Sequence, residues 1–158
     1  MTTTEWAGQS SADHRATVLL RREHQVLLDL FRRQRDPADP SARRDEIQAA
    51  IEKLLDDLQH MERSVLFPAL PAEYEAVVQA FLVDQHMLEQ CVANLRRASS
   101  NASREAIFAE RLELLVREHL EHEEQWLFTT FEREHPALNA ALYDRLVDER
   151  RRTATRSG

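Results

Sequence analysis

Apolar residues recur at steps of three and four through most of the chain, the spacing that gathers them on one face of an α-helix. From about Ala12 to Arg35 the inner stripe reads Leu20, His24, Leu27, Leu28 and Phe31, with Ser10 or Ser11 placed to cap the helix and Asp13 near its positive end. Asp36-Pro37-Ala38-Asp39-Pro40-Ser41 breaks that helix, and Ser41 is placed to cap the next. A second helix is predicted from about Ala42 to Phe67, stopping before Pro68, with the stripe Ile47, Ile51, Leu54, Leu58, Glu62 and Val65 or Leu66. A third runs from about Ala72 to Ala98 through Tyr74, Val77, Val78, Phe81, Gln85, Leu88, Val92 and Leu95. The polar link Ser99 to Ser103 leads into a fourth, whose stripe is Phe108, Leu112, Leu115, Val116, Trp126, Leu127 and Phe131. His135-Pro136 ends it, and Pro136 opens a short fifth helix through about Arg150, with Leu138, Leu142, Leu146 and Val147 to pack on the outside.

Long helices joined by short links predict an all-α protein, an up-down-up-down four-helix bundle with a short extra C-terminal helix. The Pro68 to Pro71 link forces a tight reversal, so the second and third helices are expected to be antiparallel neighbours. No strand pattern and no dividing linker is found. The 158 residues read as one domain over 12–150, between a flexible start at 1–11 and a basic tail at 151–158.

Composition sharpens this picture. Glycine occurs only at Gly8 and Gly158, which excludes a glycine-rich phosphate loop or dinucleotide fold. A formal net charge of −7 argues against nucleic acid as a partner, and Arg150, Arg151, Arg152 and Arg156 read as a solvated, frayed terminus. Cys91 is the only cysteine, so an intrachain disulfide and a cysteine-based zinc cluster are excluded; a buried, inert thiol is expected. There is no signal peptide and no apolar run long enough to span a membrane, so a soluble, cytoplasmic protein without a membrane partner is expected.

The informative residues are the polar ones inside the stripes. His119 and Glu123 stand four apart and so share a helix face that is otherwise apolar. His24 and Glu62 interrupt the stripes of the first and second helices in the same way. Burying such groups is costly unless they are partnered. A metal ion would satisfy them, and so would an internal hydrogen-bond network.

The stretch His119-Leu120-Glu121-His122-Glu123-Glu124, together with Glu23-His24 and the run from Glu62 to Leu66-Phe67-Pro68-Ala69-Leu70, resembles the hemerythrin-like, HHE cation-binding domains. The resemblance covers about Ala12 to Glu134. That family holds a non-haem di-iron centre with a His on helix one, His-x-x-x-Glu on helix two, a His on helix three and His-x-x-x-Glu on helix four. The resemblance implies His24 as the helix-one ligand, Glu62 as the helix-two carboxylate that bridges metals, and His119 with Glu123 as the helix-four pair. Glu124 is an alternative to Glu123, since some relatives use the next position. The sequence departs from the pattern twice. Leu58 stands where the helix-two histidine belongs, and His60, about 200° further round, points away. On helix three the stripe runs through Gln85, and His86 is about 100° off it, turned inward only by a helical irregularity.

The implied ligand set is therefore His24, Glu62, His86, His119 and Glu123, a mononuclear or incomplete di-iron site for dioxygen, peroxide or nitric oxide, with catalysis left open. The alternative is a metal-free helical sensor or protein-interaction module that has lost the site. No haem-attachment motif supports a third reading, haem held between His24 and His119. His122 reads as a secondary ligand, a partner of Glu62 or Glu123, or a helix flank. His14, His60 and His135 read as solvated, as does His86 if the helix is regular. Trp126 and Phe128 read as core.

Overall fold

A computed structural model describes residues 13–38 and 41–156. Among these the protein is all-helical, with no strand. The long helices are α1 (Ala16–Gln34), α2 (Ser41–Met61), α3 (Glu75–Arg97), α4 (Ala102–His122) and α5 (Pro136–Arg156). α2 and α4 each continue into a π-helical turn, Glu62–Leu66 after α2 and Glu123–Phe128 after α4. Closing turns follow at Phe67–Ala69 and Thr129–Glu134, and a 3₁₀ turn, Ala72–Tyr74, leads into α3. No helix among the described residues is long and apolar enough to cross a membrane.

The stripes meet in one core to which every long helix contributes, centred on Phe31, Phe81, Phe128 and Phe131 with Leu20, Leu27, Ile51, Leu58, Leu88 and Leu112. α1 lies along α2, α3 lies along α4, and α5 rests on α1 and α2. Cys91 is buried as expected, its thiol donating to the Phe108 carbonyl at 3.7 Å, and burial pushes its pKa up.

The π turns are the main departure from the expected geometry. In each, a backbone N–H reaches back five residues: Phe67 to the Glu62 carbonyl, Thr129 to the Glu124 carbonyl. The Thr129 hydroxyl donates to that same carbonyl at 2.9 Å. A π turn holds one residue more than an α turn and rotates everything after it. The α2 segment was expected to stop before Pro68, yet it continues to Ala69. Proline lacks the N–H that a regular turn requires, and here it follows a stretch already displaced from i→i−4 pairing. After α4 the extra residue turns one aromatic outward and keeps the other in. Trp126, expected in the core, is 57% exposed, while Phe128 is fully buried.

Other boundaries also moved. α1 begins at Ala16, later than expected, after Arg15, which makes no side-chain cap. Ser10, Ser11 and the expected flexible start lie outside the described residues, as does the side chain of Ser41. The first turn of α1 is instead served by α5. Asn139 is fully buried, its Oδ1 accepts the Thr17 N–H at 3.0 Å, and its Nδ2 donates to the Thr17 hydroxyl at 2.9 Å. That satisfies one of the donors a helix start leaves open. Asn139→Ala is expected to cost about 1–3 kcal/mol, read as a lower urea midpoint with an unchanged m-value; an unchanged midpoint would show that water replaces the amide freely. α4 has a regular cap, Asn101 accepting the Arg104 N–H at 3.1 Å.

α5 is not short. It spans 21 residues and carries the arginines read as a frayed tail. Arg150 is ion-paired with the buried Glu23 of α1, and His60 of α2, expected to be solvated, bonds Glu149 of α5 at 2.8 Å. His135 is likewise engaged, by Glu73 at 2.7 Å. His14 is exposed as expected, with its ring stacked on Tyr143 at 5.0 Å.

Candidate metal centre

His24 projects from the middle of α1 and is 1% exposed. Its ring lies nearly parallel to Phe128, with centroids 5.5 Å apart. Nδ1 contacts Glu124 Oε1 at 2.8 Å, and the other oxygen of Glu124 is held by Arg21 at 3.3 Å. A carboxylate on one imidazole nitrogen fixes the tautomer and aims the other nitrogen. That other atom, Nε2, faces the core without a hydrogen-bond partner, 3.9 Å from Glu62 Oε1.

Glu62 and Glu123 are the first residues of the two π turns. Both are buried, and ligand atoms of His24, Glu62 and Glu123 lie within 4.8 Å of one another. Gln85, fully buried on α3, donates its amide to Glu62 Oε2 at 2.5 Å, and its own Oε1 is left without a partner. Glu123 has no hydrogen bond on either oxygen. His119 Nε2 stands 3.3 Å from Glu123 Oε2. His119 is 4% exposed, meets the Phe81 ring edge-on, and has Nδ1 3.5 Å from Asp84, too far for a good hydrogen bond but close enough for the charge to act.

Electrostatics couple these groups. Burial alone would push His24 down, but the bond to Glu124 and the nearby carboxylates of Glu62 and Glu123 outweigh it and raise its pKa to about 9. His119 is raised in the same way, burial being outweighed by Glu123, Glu62 and Asp84. Glu62 is raised, first by burial and then by the charge of Glu123. Glu124 is lowered, chiefly by its bond to His24. The buried set thus holds two imidazoles drawn toward imidazolium and two carboxylates.

Of the five residues expected as ligands, His24, Glu62 and Glu123 converge and His119 touches the group through Glu123. His86 does not join them. Its helix is regular, its side chain is 68% exposed, and its Nε2 meets Gln90 at 3.1 Å. The irregularities lie on the chain segments of the carboxylates instead. Leu58, 2% exposed, fills its place in the core with hydrocarbon. Glu124 is a partner of His24 rather than a substitute for Glu123. His122 is half-buried at the flank and stacks on Trp126, with centroids 4.3 Å apart. Arg21, Asp84 and the hydrogen-bonding role of Gln85 were not read from the sequence. Arg21 stands three before His24, a spacing that hinted at a shared flank; nothing pointed to Asp84.

A second group, Glu73, Glu134 and His135, also brings ligand-type atoms together, but it lies toward the surface. Its charges are already engaged, His135 with Glu73, and Glu134 with Arg133 at 3.1 Å. Comparison of the chain with known protein families, with curated proteins and with solved structures finds no match.

Proposed function

We propose that the chain is a hemerythrin-like metal-binding protein, an up-down-up-down four-helix bundle that holds a single divalent ion, iron, among His24, Glu62 and Glu123, with His119 completing the set. One observation carries the reading: His24 Nε2 and both oxygens of Glu123 are buried without hydrogen-bond partners. Unsatisfied buried polar atoms cost about 1–3 kcal/mol each, and convergent imidazole and carboxylate atoms are the donors that ferrous iron takes. The bundle order is supported by the cross-links between neighbouring helices, in which numbers rise on one helix as they fall on the other. Glu52 pairs with Arg96 and Arg63 with Glu89; Tyr74 pairs with Glu134 and Asp84 with His119. Arg21 pairs with Glu132 and Arg35 with Glu113.

Each residue has a role in this reading. His24, oriented by Glu124, and Glu123 offer free donor atoms; Glu62 offers the oxygen not taken by Gln85. Leu58 and the exposed His86 leave a second ion short of ligands. Iron bound with an open position supplies binding or turnover of dioxygen, peroxide or nitric oxide. Phe128 and Phe81 keep the imidazoles in apolar surroundings that exclude water.

The test is metal content and optical spectrum of protein purified without chelator, then loaded anaerobically with Fe²⁺. About one ion per chain is expected from a site with this many donors. His119→Ala should weaken binding by at least the roughly 10- to 100-fold typical of losing an outer partner; unchanged affinity would remove His119 from the set. The second reading is a metal-free interaction module. It is favoured by the balance of two raised imidazoles against two carboxylates. A folded chain that takes no iron even under anaerobic loading would decide for it.

A further inference from the structure

A cleft of about 150 Å³ opens between α3 and α4 and ends on His119. Its chemistry is one-sided. Asp84, Glu118 and His122 line it with His119, alongside Met87 and Leu115, and among the described residues no arginine or lysine takes part. Two other clefts do carry cations, Lys53 and Arg96 in one and Arg33 and Arg43 in the other. His119 belongs to both sides. Its Nε2 faces Glu123 in the buried site, while Nδ1 faces Asp84 and lacks a hydrogen bond. The opposite flank of the site is closed to a cation, since Arg21 holds Glu124 and lies over the Phe128 ring at 5.5 Å.

We propose that this cleft is the entry port for the metal ion: Asp84, Glu118 and His122 capture a divalent cation at the mouth, and His119 passes it to Glu123. The inference rests on the metal-binding reading above. Carboxylates in a narrow, low-dielectric mouth concentrate counter-ions and speed their entry. A half-turn of the ring about its Cβ–Cγ bond would carry Nδ1, with an ion held there, from the Asp84 side of the wall toward the buried carboxylates. Asp84 and Glu118 are therefore needed for the rate of loading and not for the final occupancy.

The port carries its own reporter, because Trp126 stacks on His122 and is exposed to solvent. The experiment uses Co²⁺ in a Trp6→Phe background, so that fluorescence reports Trp126 alone and visible absorbance reports the buried site. Stopped-flow mixing is expected to show early quenching of Trp126 followed by growth of the cobalt bands. Asp84→Asn with Glu118→Gln should slow the bands by roughly tenfold or more, with the same Co²⁺ per chain at the end and an unchanged helical melt. Glu121→Gln, an exposed carboxylate on α4 outside the cleft, should leave the rate unchanged and so separates the port from the general negative charge.

Equal loading rates in the double variant and the parent would overturn the port while leaving the metal site intact. So would equal slowing by Glu121→Gln, or a loss of final occupancy in place of rate. A parent chain that binds no Co²⁺ would overturn the metal site and the port together.

Discussion

Loading the chain with one Fe²⁺ or Co²⁺ at pH 7 is expected to release at least one proton, from His24 first and in part from His119 and Glu62, and the apparent affinity should climb by roughly tenfold or more per pH unit toward pH 9. The cause is an exchange of like charge. His24, with its pKa raised to about 9, carries a proton at pH 7, and His119 is drawn the same way. A divalent ion needs both imidazoles neutral, so it displaces their protons and leaves the total charge of the site nearly unchanged.

The metal-free protein should respond to pH in the opposite sense. A histidine raised from its ordinary 6.5 to about 9 contributes stability that is whole below pH 6.5 and is lost by about pH 9. A shift of that size on a fully buried ring is about 3 kcal/mol, or about 6–12 °C in Tm for a chain of this length. Glu62, raised from 4.5 by burial and by Glu123, also makes the folded state hold more protons than the unfolded one, so its contribution falls with rising pH too. Melting the metal-free and Co²⁺-loaded forms from pH 6 to 9.5 tests both parts, with proton release followed in weakly buffered dye. The metal-free Tm should fall across this range while the loaded Tm holds. A flat metal-free profile, or uptake without proton release, would mean that the imidazoles are neutral before metal arrives.

The helices and most of the core were legible because burial follows the 3.6-residue period wherever the backbone is regular. Leu20, Leu27, Phe31, Ile51, Phe81, Leu88, Leu112 and Val116 were all read as inward and all are buried. His119 and Glu123 were legible for the same reason, since the turn joining them is still α-helical. Legibility fails at the residue after. From Glu123, steps of three and four name Trp126 and Leu127; with one residue more in the turn the inward positions become Leu127 and Phe128. No composition rule marks a π turn, so Trp126 was placed in the core. The pairing of His24 with Glu124, and of Glu62 with Gln85, depends on the rotation of one helix against another. Periodicity fixes which residues face inward and leaves that relative rotation open.

Leu58→His combined with Gln85→His is expected to raise bound iron from about one to about two ions per chain, because two ions need about six protein donors, bridging carboxylates included. The geometry is favourable for a specific reason. The π turn begins at Glu62, so Leu58 and Glu62 are still separated by one regular turn and share a face. An imidazole at position 58 would point where the Leu58 side chain now does, into the core one turn from Glu62. Gln85 already touches Glu62 from α3, and an imidazole there would replace an amide that ties up one carboxylate oxygen. Both positions are buried, at 2% and 0% exposure. Without metal, each new imidazole is a buried polar group in place of hydrocarbon or a bonded amide, at a cost of about 1–3 kcal/mol each. The double variant should therefore melt lower than the parent when metal-free and regain stability on loading, since binding to the folded state alone shifts the folding equilibrium. Iron assay, near-ultraviolet absorption and paired melts read the three quantities separately. A double variant that folds, gains stability with iron and still holds only one ion would show that ligand number is not what limits the site. The cause would then be the separation of Glu62 and Glu123 set by the two π turns, and the next change to make would be in those turns rather than in the ligands.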